Sequence, residues 1–73
     1  MTTENNKELQ EAIQEAERVA RHGDAEEKAG FVRYCNDFIT YNKEQYFYTG
    51  SATARDNITF GKAVYSAYLH ALQ

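Results

Sequence analysis

The sequence predicts an all-α fold: an antiparallel helical hairpin followed by a C-terminal helix, in a small helical bundle that we expect to be dimeric. Two observations support this class. The chain of 73 residues contains no proline, so glycines and caps must end its helices. Its apolar residues recur at spacings of three and four, which is the pattern of amphipathic helices. A chain of this length is expected to form one domain, residues 1–73.

The first helix is predicted over about residues 6–22, where small and aliphatic side chains form one stripe. Four members of this stripe fit the a and d positions of a short coiled-coil seam, and we predict them as self-association residues: Leu9, Ala12, Ala16 and Val19. Because alanines bury little surface, this helix needs a long partner, either the second helix or a second subunit. Gly23 is expected to end the helix in the left-handed conformation.

The second helix is predicted over residues 25–48. Asp24 and Glu27 have the spacing of a capping box, and Gly50 is the expected C-cap. Gly30, inside the helix, is expected to mark a close approach of another backbone. Residues 38–49 are also rich in strand-favouring side chains, so a β-hairpin is the alternative for this segment, with 58–60 as a short third strand.

The third helix is predicted over residues 58–72, after a polar loop over 50–57. Its expected N-cap is Thr53, Asp56 or Thr59. The aromatic and aliphatic stripes of the second and third helices predict a core that contains Phe31, Phe38, Phe60 and Val64.

No motif in the sequence predicts catalysis, a cofactor or a metal. Cys35 is the single cysteine, and its place on an apolar stripe predicts a buried structural thiol. A redox or nucleophilic role is the alternative, but neither His22 nor His70 has a spacing that predicts contact with Cys35. His22, Asp24 and Glu26 form only a nominal ligand cluster, which lacks zinc spacing. We therefore expect a protein that is not an enzyme.

The expected location is the cytoplasm. An unpaired cysteine fits a reducing compartment. The polar stretch from Met1 to Lys7 lacks the apolar core of a signal peptide, and no apolar run approaches the length of a membrane span.

The charge distribution argues against nucleic acid as a partner. The formal net charge is −3, and most acids lie in residues 1–30, whereas nucleic-acid binders usually present a basic face. Two alternatives remain open. One is a nucleic-acid-binding regulator built on a helical dimer, which would use the slightly basic second half: Arg33, Lys43, Arg55 and Lys62. The other is an acidic inhibitor that mimics DNA, for which the first helix would supply the charge.

The tyrosines give the most specific functional expectation. The chain has 6 tyrosines, and a core of this size has room for about half of its aromatic side chains. Tyrosine is favoured at protein interfaces, so the predicted partner-binding residues are Tyr41, Tyr46, Tyr48, Tyr65 and Tyr68. We expect a small regulator or inhibitor that forms a homodimer and docks on a larger cytoplasmic protein, of the kind that phages and mobile elements often encode.

Overall fold

The computed structural model describes residues 3–73, with side chains from residue 6 onward, and the regular structure in this range is helical. The helices are α1 (Thr3–His22), α2 (Ala25–Thr49) and α3 (Ala52–Leu72). The all-α prediction with three helices is therefore confirmed. The β-hairpin alternative is wrong, because residues 38–49 lie within α2 and residues 58–60 within α3. Met1 and Thr2, at the start of the polar N-terminal stretch, lie outside the described residues.

The two ends of α2 are capped largely as the sequence predicts. Asp24 is the N-cap, and its Oδ1 accepts a hydrogen bond of 2.7 Å from the backbone N–H of Glu27. The Glu27 carboxylate accepts from Arg18 of α1, so the capping pair also ties two helices together. At the other end, Gly50 has a φ of 66°, a conformation that glycine adopts without strain, and its N–H donates to the Tyr46 carbonyl.

The third helix begins earlier than predicted, so the expected loop over residues 50–57 is mostly helical. Ser51 is the N-cap, and its hydroxyl accepts a hydrogen bond of 3.2 Å from the N–H of Ala54. The first turn after it contains Ala52 and Ala54, and alanine is the strongest helix former. These residues extend α3 through the polar segment, which makes Thr53, Asp56 and Thr59 helical positions rather than caps.

Two glycine predictions are wrong. Gly23 does not adopt the left-handed conformation, since Gly50 is the one positive-φ residue recorded in the described chain. Glycine is needed at position 23 because a Cβ would lie 2.6 Å from the Val19 carbonyl oxygen. Gly30 has open space around it, and the close approach occurs at Gly61, where a Cβ would lie 2.8 Å from Cγ1 of Ile39.

The third helix makes most of the tertiary contacts, because it packs along both α1 and α2, while α1 and α2 contact each other at few positions. The sequence predicts that α1 and α2 pack against each other as a hairpin. In the structure, each of them packs mainly against α3. The buried cluster lies towards the turn that joins α1 to α2, and it contains Ala16, Val19, Ala20, Cys35, Val64 and Tyr68. Of the predicted core, Val64 is buried, whereas Phe31, Phe38 and Phe60 are half-buried.

Away from this cluster, α2 and α3 are joined by a polar contact. Asn42 is buried, and its side-chain amide donates to the Phe38 carbonyl at 2.8 Å. Its Oδ1 accepts a hydrogen bond of 3.1 Å from Nδ2 of Asn57 in α3. A buried polar group is costly unless it is hydrogen-bonded, so this pair fixes how α2 and α3 align.

Candidate protein-interaction surfaces

The last turns of α2 expose four aromatic side chains, which we call the aromatic tip: Tyr41, Tyr46, Phe47 and Tyr48. The exposed fractions are 61% for Tyr41, 80% for Phe47 and 77% for Tyr48. The rings of Phe47 and Tyr48 contact each other edge to face, with centroids 5.2 Å apart. Tyr41 and Tyr48 share a face of the helix, whereas Tyr46 lies on the opposite side. Three of the predicted partner-binding tyrosines are therefore exposed on different faces of the end of α2. The sequence does not predict Phe47 as a partner-binding residue, because its position alone does not distinguish it from a core phenylalanine.

The other two predicted partner-binding tyrosines lie elsewhere. Tyr68 is 3% exposed and belongs to the core, where its ring lies 5.1 Å from that of Phe31. This burial removes Tyr68 from the candidate surface. Tyr65 is half-buried and stacks on Tyr68. With Leu69 and Leu72, both exposed, Tyr65 follows spacings of four and three, and we call these three residues the outer stripe of α3.

The predicted self-association seam of α1 is used within the chain. Ala16 is 0% exposed and Val19 is also buried, while Leu9 and Ala12 pack against the same cluster. The small side chains let α1 lie close to α3. The long partner helix, which the sequence analysis expected to be the second helix or part of another subunit, is therefore α3. Ala16 and Val19 are therefore not available as a surface for a second copy, whereas Leu9 and Ala12 are half-buried.

A groove opens between α1 and α2, with α3 as its floor. It consists of two adjoining depressions of about 650 Å³ and about 260 Å³ that share Phe38 and Phe60. The ring of Phe38 lies 6.4 Å from each of the rings of Tyr34 and Phe60. The apolar lining comes from all three helices: Leu9, Ala12, Phe38, Phe60, Ala63 and Val64. No local sequence pattern predicts the groove, because it arises from the separation of α1 and α2.

The larger depression also carries charge. Its lining residues include the acids Glu8 and Asp56, together with the polar residues Thr53, Asn57 and Thr59. The Oδ1 of Asp56 lies 4.0 Å from Nε of Arg55, in an exposed ion pair. Neither depression is lined by lysine or arginine within the described residues. The groove is thus an apolar surface with an acidic end.

An ion-pair network holds the turn between α1 and α2. Arg18 donates to Glu15 in α1 and, at 2.9 Å, to Oε2 of Glu27 in α2. The Arg18 guanidinium lowers the pKa of Glu15 through this hydrogen bond, and the two carboxylates raise the pKa of Arg18. Because these side chains are exposed, water and salt weaken the pairs. Because Glu15 and Glu27 are paired with Arg18, these two acids of α1 and α2 are partly neutralised.

The cysteine and the two histidines, which are the side chains best suited to catalysis or metal binding, do not form a reactive cluster. Cys35 is buried, as predicted, and burial raises the pKa of its thiol, which disfavours the reactive thiolate. His22 and His70 are both exposed at helix ends. In residues 3–73, no group of three or more histidine, cysteine, aspartate or glutamate side chains is placed to hold a metal ion.

Among the helices described, none is both long enough and apolar enough to cross a membrane. No protein-family model, curated protein or solved structure matches the chain at a significant level.

Proposed function

We propose that this protein is a small cytoplasmic regulator or inhibitor that acts by docking on another, larger protein, and that it catalyses no reaction itself. The observation that carries the proposal is the aromatic tip. Its side chains contribute little to the core, yet each would bury about 150–250 Å² if fully covered. Covering the exposed part of one such ring is worth about 3 kcal/mol, so a few of them can anchor a protein interface.

The position of the aromatic tip supports docking rather than a packing role. It lies at the end of α2 that is remote from the buried cluster. The helix beneath it is capped by Gly50 and joined to α3 by the Asn42–Asn57 contact. The rings are therefore presented on a defined helical end, which reduces the ordering cost on binding.

The test is affinity capture followed by reconstitution from purified components. The tip variant carries Tyr41→Ser, Phe47→Ser and Tyr48→Ser. The matched control changes three exposed positions nearer the start of α2: Arg33→Ser, Asn36→Ser and Asp37→Ser. We expect wild type and control to bind one partner stoichiometrically and the tip variant to bind at least about tenfold more weakly. Equal binding by the tip variant would contradict the proposal, and nucleic acid in place of a protein would favour the nucleic-acid alternative.

We also propose that the protein forms a homodimer through the outer stripe of α3. Leu69 is 43% exposed and Leu72 is 45% exposed, so the outer stripe leaves aliphatic surface uncovered on one face of α3. Isologous contact across a twofold axis is the commonest way to cover such surface, and Leu69 and Leu72 are aliphatic side chains that this contact would bury.

A further inference from the structure

The groove between α1 and α2 has the form of a bundle from which one helix is missing. Its floor runs along α3 from Thr53 to Val64, a length of about 16 Å, or three helical turns. Its walls are the first half of α1 and the middle of α2. Antiparallel bundles fill this position with a further helix, whose side chains pack into the spaces between those of its neighbours.

We propose that the groove receives one amphipathic helix of a partner protein, whose apolar face packs on Phe38 and Phe60 and whose lysine or arginine side chains meet Glu8 and Asp56. This inference rests on the proposed function, since it names the kind of segment that the docked protein contributes. A helix in a groove is recognised through apolar anchors at positions i, i+3 or i+4, and i+7, and three turns of floor accommodate that number of anchors.

The charge of the groove distinguishes a basic helix of another protein from a second copy of this chain as its occupant. Glu8 and Asp56 both line the larger depression, and no lysine or arginine lines either depression within the described residues. Arg55 lies beside Asp56, with 4.0 Å between its Nε and the Asp56 Oδ1, but both side chains are exposed, so water and salt weaken this pair. The start of α3 also lines this depression, but its dipole is worth only about half a positive charge, less than the two carboxylates together. A second copy of this chain carries a net charge of −3 and an α1 rich in glutamate, so it complements the groove less well than a basic helix.

The size and openness of the groove also favour a helix. The larger depression alone holds about 650 Å³, which is in the range of a small-molecule site. Small-molecule sites, however, enclose most of their ligand, whereas this groove is open along one side and continues into the second depression through Phe38 and Phe60. An elongated occupant with one apolar face covers both depressions at once.

The probe for this proposal is a synthetic amphipathic peptide of about 14 residues, with leucines at helical anchor spacing and flanking lysines. Two matched peptides serve as comparisons: one has glutamate in place of each lysine, and the other has the lysine sequence scrambled. Fluorescence anisotropy with the full chain measures binding. We expect the lysine peptide to bind wild type at least about tenfold more tightly than either comparison.

Charge-reversal variants locate the binding. Glu8→Lys combined with Asp56→Lys should weaken the lysine peptide about tenfold and favour the glutamate peptide, and Glu8→Lys alone should have a smaller effect in the same direction. The control, Glu44→Lys, changes an exposed acid of α2 that does not line the groove, and should leave the order of the peptides unchanged. Thermal unfolding by circular dichroism checks that each variant folds.

The outcomes separate this proposal from the proposed function. A lysine peptide that binds wild type no better than its scrambled form overturns the helix-in-groove proposal, and so does binding that the groove variants leave unchanged. Loss of a homodimer on Glu8→Lys would show that a second copy occupies the groove, which also overturns it. Capture of a partner through the aromatic tip would survive each of these results, because Tyr41, Phe47 and Tyr48 do not line the groove.

Discussion

Gly30 and Gly61 both lie inside helices, but their surroundings differ. A methyl group at Gly30 would meet no atom within 4 Å, whereas at Gly61 it would lie 2.8 Å from Cγ1 of Ile39 and 3.0 Å from Cδ2 of Phe38. Glycine costs a helix about 0.5–1 kcal/mol relative to alanine. That cost is avoidable at Gly30, while at Gly61 it is offset by the closer packing of α2 on α3.

The two substitutions are therefore expected to change stability in opposite directions. Gly30→Ala should raise the free energy of unfolding by about 0.5–1 kcal/mol. Gly61→Ala gains the same helix propensity, but overpacking costs about 1–3 kcal/mol. We therefore expect the free energy of unfolding to fall. Urea unfolding followed by far-ultraviolet circular dichroism measures both. A Gly61→Ala protein as stable as Gly30→Ala would show that the contact between α2 and α3 is looser than described.

The thiol of Cys35 gives a pH-dependent contribution to stability. Burial raises its pKa above the ordinary value of 9.0, so the folded state holds the proton more tightly than the unfolded chain. The contribution is fully present below about pH 9 and is lost as the pH rises through the raised pKa. Between about pH 7 and pH 10, wild type should thus lose more stability than Cys35→Ala. All other side chains are the same in the two proteins, so the difference between their stability curves reports on Cys35. Parallel stability curves would contradict the expectation.

At the scale of the helices, the contact between Asn42 and Asn57 sets the alignment of α2 and α3. Asn57→Ala removes the donor to the buried Oδ1 of Asn42 and should cost about 1–2 kcal/mol, because an unpaired buried acceptor carries its desolvation penalty. Asn42→Leu combined with Asn57→Leu removes both polar groups and should be more stable than Asn57→Ala alone. Urea unfolding compares the three proteins. A neutral Asn57→Ala would show that water replaces the lost donor.

The helix boundaries show which elements local sequence determines. The start and end of α2 are predicted correctly, because Asp24 and Gly50 act on their own neighbours in the chain. The start of α3 is not, because the segment 52–57 combines alanines with polar residues that also suit a loop. Its helical state depends on Ser51 as the N-cap and on Ala54 being buried. Burial of Ala54 is a tertiary effect that periodicity over a short polar segment does not reveal.

At the scale of the whole molecule, the sequence predicts the class of fold but not the order in which the helices pack. Three amphipathic helices can pack against one another in more than one order. In this structure, the alanine stripe of α1 packs on α3. This packing places the core towards one end and leaves α1 and α2 with few contacts to each other. The groove between them results from this arrangement. Tyrosine content predicts part of the tip, since Tyr41, Tyr46 and Tyr48 are exposed, but no local pattern predicts the groove or the burial of Tyr68.

The proposed dimer leads to a prediction about the dependence of stability on protein concentration. If folded chains associate through the outer stripe of α3, association stabilises the folded state by mass action, and Tm rises with concentration. Leu69→Glu combined with Leu72→Glu should abolish this rise and give a monomeric native mass, since the substitutions place charges where apolar surface would be buried.

The control for this experiment places the same charges on the same helix. Ser66→Glu with His70→Glu changes two exposed residues outside the stripe, so it reproduces any unfavourable effect of acids near the end of α3. The control should keep the concentration dependence of wild type. A wild-type Tm independent of concentration would contradict the dimer. It would also mean that the outer stripe, like the aromatic tip and the groove, is left for other proteins to cover.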